Sequence, residues 1–151
     1  MSTARSAAEL LAEARSGLQR LTPAEAEQAV RAGACLVDIR DDAQRAREGE
    51  IAGSWIVPRN VLEWRFADAD GARDPRLPER DGLPIVLCGQ GFQSSLVAHA
   101  LQQLGFTRAT DVIGGFAGWV AAGLPTVPYG AGGAERVIAG GPDDPHPGAY
   151  A

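Results

Sequence analysis

A short apolar run that ends at a cysteine and leads directly into a helix constrains the fold of this chain most. The run PIVL at residues 84–87 has the length and composition of a buried strand. Cys88 follows it, then a glycine-containing stretch, then a helix-like sequence over residues 96–104. Backbone N–H groups of such a loop, together with the positive end of the helix dipole, favour a thiolate and can hold an anion.

Other apolar runs alternate with helix-like segments along the chain. Strands are predicted at 35–39, 55–57 and 109–113. Helices are predicted at 6–20, 22–31, 41–48 and 61–66, and a last short helix follows Gly114. A polar stretch at 68–82 reads as a surface loop. This alternation is typical of α/β proteins, so we predict a parallel β-sheet of about four to five strands with helices on both faces.

Parallel sheets of this class bind ligands beyond the carboxyl ends of their strands. Cys88 lies at such an end, as do Asp38 and Arg40 after the first strand, and Arg59 after the second. Cys35 lies at the opposite end of the first strand, roughly 10–15 Å away by strand rise, so we expect no disulfide with Cys88. A small core residue is the favoured interpretation of Cys35 and the plain alternative for Cys88.

Composition argues against several classes of function. The net charge is −5 and no basic stripe is present, which argues against nucleic-acid binding. No apolar run approaches the ~20 residues of a membrane span, and residues 1–20 lack the continuous apolar core of a signal peptide. We therefore expect a cytoplasmic protein without membrane attachment. The two cysteines and two histidines show no metal-ligand spacing, so we expect neither a metal nor a cofactor.

Four segments in this order resemble the rhodanese-like domain family, specifically its single-domain sulfurtransferases. They are LVDIR at 36–40, GEIAGS at 49–54 running into Val57-Pro58-Arg59, the loop CGQGFQSS at 88–95, and Gly114-Gly115-Phe116 with Trp119, Gly123 and Pro125. The third segment is similar to the pattern Cys-x-x-Gly-x-Arg-Ser. The resemblance divides the chain into an N-terminal helix at 1–21, a rhodanese-like domain at 22–127 and a tail at 128–151.

The tail is rich in glycine and proline, and we expect it to be mobile. Val137 and Ile138 interrupt this composition and offer an apolar contact to a neighbouring surface.

The resemblance implies a sulfurtransferase in which Cys88 carries sulfane sulfur as a persulfide. The sulfur would come from a small donor such as thiosulfate and pass to a thiol, cyanide or a protein acceptor. The residues implied to form the substrate-binding loop are Gly89, Gln90, Gly91, Phe92, Gln93 and Ser94. Arg59 would steer anionic donors or form a surface salt bridge, and Asp38 and Arg40 would support the loops as ion pairs. The hydroxyls of Ser94 and Ser95 would bind the persulfide or cap the helix. A monomer or a homodimer is expected.

Two residues depart from the family pattern. Gln93 stands where many single-domain members have a loop arginine, so a cation that attracts the thiosulfate dianion is missing and activity with thiosulfate is expected to be weak. Glu50 stands in place of a histidine, and we place it on a surface turn without a chemical role.

Two other functions remain open at this point. The Gln93 substitution favours a non-catalytic or weakly active binding module. A phosphatase or arsenate reductase is the third candidate, but those relatives have a loop one residue longer. Here Gly91 falls three residues after Cys88, and the helix is predicted to begin near Gln93 or Ser94.

Overall fold

The computed structural model describes residues 3–69, 71–131 and 136–138. Within these residues four parallel strands form one sheet in the order β2-β1-β3-β4. Their bounds are Cys35–Asp38 (β1), Trp55–Ile56 (β2), Pro84–Leu87 (β3) and Thr110–Asp111 (β4). The predicted α/β class and parallel sheet are confirmed.

Six α-helices and one 3-10 turn complete the described fold. They are α1 (Ala7–Arg15), α2 (Pro23–Arg31), α3 (Asp42–Glu48), the 3-10 turn (Arg59–Val61), α4 (Leu62–Ala67), α5 (Gln93–Gln103) and α6 (Gly115–Ala121). Thr22 and Glu25 form the predicted capping box at the start of α2. Asp41 and Gln44 form a second box before α3, which the sequence analysis did not identify.

The first helix is shorter than predicted. It ends at Arg15 rather than near residue 20, because the following segment extends along the sheet edge. The Leu21 N–H donates to the Asp111 carbonyl at 3.1 Å, and the Ile113 N–H donates to the Leu21 carbonyl at 2.8 Å. This pairing with β4 carries the N-terminal segment past the end of the sheet where the cysteine loop lies, while α1 packs against α5.

Alternate residues of the central strands point into two separate cores. Val37 and Val86 face the core that α4 and α5 cover. Leu36 and Ile85 face the core that α2 and α6 cover. This alternation follows from the pleat of a strand, and it places β1 and β3 between helices on both sides.

Two peripheral segments pack more closely than their composition predicts. In the stretch at 68–82, read as a surface loop, Ala72 and Leu77 are buried. Val137 pairs with Ile56 at the edge of the sheet, and Ile138 is buried in the core of this same domain. The prediction of a mobile tail falls mainly on residues 132–135 and 139–151, which lie outside the described residues.

Over the described ranges, none of the helices combines the length and apolarity that a bilayer crossing requires.

The start of α6 holds the cysteine loop in place. The Phe116 N–H donates to the Cys88 carbonyl at 2.8 Å, and the Ala117 N–H donates to the Gly89 carbonyl at 3.0 Å. Gly115 has a φ of +60°, and a Cβ on it would lie 2.5 Å from the Cys88 carbonyl oxygen and 2.7 Å from the Gly91 nitrogen. The loop and α6 therefore approach as closely as they do only because this residue has no side chain.

We predict that Gly115→Ala lowers the free energy of unfolding by about 2 kcal/mol more than Gly53→Ala does. Both glycines have positive φ, but a Cβ on Gly53 would have no heavy atom within 4 Å. Gly53→Ala is therefore the control, because it introduces the strain of a positive φ without a steric clash between the new Cβ and neighbouring backbone. Denaturant unfolding of the two variants measures the difference. Equal destabilisation would contradict the close contact between α6 and the loop.

Candidate active site

The thiol of Cys88 lies inside the loop that joins β3 to α5. Its Sγ atom accepts hydrogen bonds from the Gly91 N–H at 3.1 Å and the Ser94 N–H at 3.4 Å. Cys88 is 8% exposed, and α5 begins at Gln93, as predicted. The sulfur thus lies at a helix N-terminus among backbone donors, which is an arrangement that stabilises negative charge.

Several loop N–H groups have no protein acceptor. Those of Gln90, Phe92 and Gln93 donate to no atom of the described residues. N–H groups in the first turn of a helix have no intrahelical partner, and they bind anions readily. The loop therefore has backbone donors that no atom of the described residues uses.

A buried carboxylate lies beneath the loop. Asp111, at the end of β4, accepts hydrogen bonds from the hydroxyls of Ser94 and Ser95, each at 2.7 Å. Arg20 pairs with the same carboxylate through its Nε at 2.8 Å. The two serine hydroxyls therefore anchor α5 to β4, which differs from the helix-capping or substrate contacts expected from the sequence.

Two arginines from the N-terminal segment reach the outer side of the loop. The guanidinium groups of Arg15 and Arg20 donate to the Gly91 carbonyl at 2.7 Å and 3.1 Å. Arg15 also donates through Nε to the Ser95 hydroxyl at 3.0 Å. The loop is thus held from outside by residues far away in sequence.

Asp38 and Arg40 form a fully buried ion pair at the end of β1. The Arg40 Nε and Nη2 donate to the two carboxylate oxygens at 3.1 Å and 2.8 Å. Arg40 also donates to the Gly49 carbonyl at 2.9 Å, and its guanidinium carbon lies 3.9 Å from the centroid of the Phe116 ring. This pair connects β1 to the helix that holds the cysteine loop, a geometry compatible with the supporting role predicted for it.

A cleft of about 560 Å³ opens beside the loop. Gln93 and Arg59 both line it, and Arg59 forms an ion pair with Glu63 at 2.9 Å, the salt bridge that was one of the two roles predicted for it. Its cationic neighbours in the cleft wall are Arg40 and Arg45. All three arginines are paired with carboxylates, and Asp41 and Asp42 line the same cleft, so much of the positive charge beside Gln93 is compensated.

The predicted surface position of Glu50 is wrong. Glu50 is 3% exposed rather than on a surface turn, and it pairs with the Nε of Arg45 at 3.0 Å. Its second carboxylate oxygen accepts a hydrogen bond from the Gly130 N–H at 2.9 Å. The interior position is possible because the partner arginine is buried with it.

The second cysteine, Cys35, has the features of an unreactive thiol. Cys35 and Cys88 are both free thiols. Burial raises the pKa of the Cys35 thiol to about 12, although nearby Arg136 opposes the shift. Its thiolate is therefore scarce at neutral pH, as expected for a small core residue. The described ranges contain no group of three potential metal ligands.

Sequence reasoning missed three residues that contact the loop. Asp111 could have been identified from the sequence, because a carboxylate inside an apolar run needs hydrogen-bond or ion-pair partners if the run is buried. Arg15 and Arg20 could not, since an arginine on an amphipathic helix or just after it is usually solvated. Their contacts with Gly91 span 76 and 71 residues of sequence.

Comparisons with known proteins agree with this geometry. The family model described as "Rhodanese-like domain" matches residues 22–122. The thiosulfate sulfurtransferase GlpE of Haemophilus influenzae (strain PittEE) is 31% identical over 107 residues, which cover 71% of this chain and 92% of that protein. GlpE of Pseudomonas aeruginosa (strain LESB58) is 35% identical over 101 residues, covering 67% and 83%.

Two solved structures extend the likeness to three dimensions. A Rhodopseudomonas palustris protein of unknown function, RPA3614, described as a possible tyrosine phosphatase, has a TM-score of 0.75 at 31% identity and covers 83% of this chain and 97% of its own. The polysulfide-sulfur transferase homodimer of Wolinella succinogenes has a TM-score of 0.66 at 20% identity, with coverage of 82% and 88%, and shares the fold. With its parallel sheet, its cysteine loop at the start of α5 and these matches, the chain belongs to the rhodanese-like domain family.

Proposed function

We propose that this protein is a sulfurtransferase that carries sulfane sulfur as a persulfide on Cys88. The observation that supports it most is the loop geometry. Two backbone N–H groups bond to the Cys88 sulfur, and those of Phe92 and Gln93 have no acceptor among the described residues. A sulfur atom attached to the thiol would be an anion, and it would meet these remaining donors.

The first half-reaction loads the cysteine. The Cys88 thiolate attacks the outer sulfur of thiosulfate, a new S–S bond forms, and the bond between the two thiosulfate sulfurs breaks. The electron pair of that bond leaves with sulfite, and the persulfide keeps one negative charge. The loop donors stabilise this charge in the same way as an oxyanion hole.

The second half-reaction unloads it. A nucleophilic acceptor such as cyanide or a thiolate attacks the terminal sulfur, the S–S bond breaks, and its electron pair returns to Cys88 as a thiolate. No metal or cofactor takes part in either step. The cycle is a two-step exchange of the ping-pong type.

The remaining residues have supporting roles in this proposal. The loop from Gly89 to Ser94 supplies backbone donors, and the Asp38–Arg40 pair supports the end of β1 against α6. Arg59 lines the cleft and, although it is paired with Glu63, would donate hydrogen bonds to an anionic sulfur donor. The cytoplasmic location, the absence of nucleic-acid and membrane partners, and a monomer or homodimer stay predictions.

A phosphatase is the competing enzyme, since the Rhodopseudomonas palustris relative is described as a possible tyrosine phosphatase. Against it, α5 begins five residues after Cys88, so the loop is the short form suited to a sulfur atom on cysteine. A binding module is the other competitor, and the neutral Gln93 in the cleft wall is the observation that favours it.

We predict that thiosulfate treatment adds the mass of one sulfur atom to the wild type and to Cys35→Ser, but not to Cys88→Ser. Cys35→Ser is the matched control, because that thiol is partly buried and its raised pKa keeps it largely protonated at neutral pH. Intact-protein mass spectrometry under non-reducing conditions measures the adduct, and cyanide should remove it as thiocyanate.

The absence of an adduct with thiosulfate and with polysulfide would contradict the proposal. Cys88-dependent release of phosphate from an aryl phosphate would favour the phosphatase instead. The protein would be a binding module if it transfers no sulfur and if Cys88→Ser binds a partner as tightly as the wild type does.

We predict that Gln93→Arg raises kcat/KM for thiosulfate by about tenfold, since an arginine adds charge-assisted hydrogen bonds to a dianion. Gln90→Arg is the control: Gln90 is an exposed loop residue that does not line the cleft. Steady-state transfer from thiosulfate to cyanide measures both variants. An equal gain in both, or none in Gln93→Arg, would show that the missing cation does not limit the reaction.

A further inference from the structure

We propose that Arg15, from the N-terminal segment, is a positioning residue for the persulfide and partly replaces the cation that the loop lacks. The proposal rests on the sulfurtransferase function proposed above. Arg15 lies outside the part of the chain that the family model matches, residues 22–122.

The first observation is the contact of Arg15 with the loop backbone. Its Nη2 donates to the Gly91 carbonyl at 2.7 Å, and its Nε donates to the Ser95 hydroxyl at 3.0 Å. Ser95 in turn donates to Asp111 at 2.7 Å. The guanidinium of Arg15 is therefore fixed by two hydrogen bonds, one from Nη2 and one from Nε. A short hydrogen bond from a cation to a carbonyl is of the stronger, charge-assisted kind.

The second observation is the peptide unit that this contact orients. The described chain contains no cis peptide bond, so the N–H of Phe92 points opposite to the carbonyl of Gly91. Holding the carbonyl on the arginine side turns that N–H away from the guanidinium groups. It has no acceptor among the described residues, so it is free to meet the terminal sulfur.

The third observation concerns charge. Arg20 touches the same carbonyl at 3.1 Å, but its charge is paired with the Asp111 carboxylate. No carboxylate of the described ranges lies within ion-pair distance of Arg15, which rests instead 6.0 Å from the centroid of the Phe92 ring. Arg15 therefore gives the outer side of the loop an uncompensated positive charge, whereas Gln93 on the cleft side is neutral.

These contacts separate two properties of Cys88. The resting sulfur is bonded by the Gly91 and Ser94 N–H groups, which belong to other peptide units than the one that carries the Gly91 carbonyl. The persulfide has a further sulfur that needs the Phe92 N–H. Loss of Arg15 should thus slow formation of the persulfide more strongly than it slows alkylation of the resting thiol.

The test compares Arg15→Gln, Arg15→Lys and Arg5→Gln in the full chain. Arg5 lies in the same N-terminal segment but pairs with Glu13, away from the loop, so Arg5→Gln is the matched control. Arg15→Lys keeps the positive charge and N–H donors but lacks the planar guanidinium, so it tests whether charge and a single hydrogen bond to Gly91 restore loading. Two rates are measured: loading of sulfur from thiosulfate by mass spectrometry, and alkylation of Cys88 by iodoacetamide.

We expect the second-order rate constant for loading to fall about tenfold in Arg15→Gln and to stay within about twofold of the wild type in Arg15→Lys and Arg5→Gln. Alkylation should fall by less than about twofold in Arg15→Gln and stay unchanged in Arg15→Lys and Arg5→Gln. Equal losses in loading and alkylation would overturn the proposal, because they indicate a general loosening of the loop. Unchanged loading in Arg15→Gln, or a loss in Arg15→Lys as large as that in Arg15→Gln, would also overturn it.

Arg15→Met provides a second neutral variant if Arg15→Gln fails to fold, and the same outcomes apply to it. The result also separates this proposal from the function it rests on. If the wild type forms no persulfide, the proposed function itself is contradicted. If the wild type and Arg15→Gln form the persulfide at the same rate, only the role of Arg15 is contradicted.

Discussion

The backbone of Gly91 is held from three directions, and the geometry of the candidate site depends on that. Its N–H donates to the Cys88 sulfur, its carbonyl accepts from Arg15, and a Cβ on it would lie 2.8 Å from the backbone nitrogen of Gly114. Each contact comes from a different element: the loop itself, α1, and the turn before α6. A backbone fixed in this way presents its N–H groups without reorganisation when an anion forms, which is the condition for electrostatic stabilisation.

The local part of this arrangement was predictable from the sequence. An apolar run, a cysteine, a glycine-containing turn and a helix-like sequence are consecutive, so strand, loop and helix start follow from neighbouring residues. The parallel sheet followed from the alternation of short apolar runs with helices, because parallel strands need crossover connections. The separation of Cys35 from Cys88 was predictable for the same reason. Cys35 begins β1, whereas Cys88 follows the carboxyl end of β3, so the length of a strand lies between them.

The long-range part was not predictable. Arg15 and Glu50 both look like solvated charges in sequence, and both find partners only after the chain has folded. Periodicity reports which face of an element is apolar, but it does not report which distant carbonyl or arginine that element meets. The first helix was predicted too long because Leu18 and Leu21 keep helical spacing, although Leu21 lies in extended backbone that bonds to Asp111 and Ile113.

The central claim is that the sulfur resides on Cys88, inside the backbone donors of its loop. The most direct measurement is a crystal structure of the thiosulfate-treated protein, with the sulfur atoms located by their anomalous scattering. We predict a second sulfur about 2.05 Å from the Cys88 Sγ, within hydrogen-bond distance of the Phe92 or Gln93 N–H. A sulfur bound to Cys35, or a Cys88 that stays unmodified while the protein transfers sulfur, would contradict it.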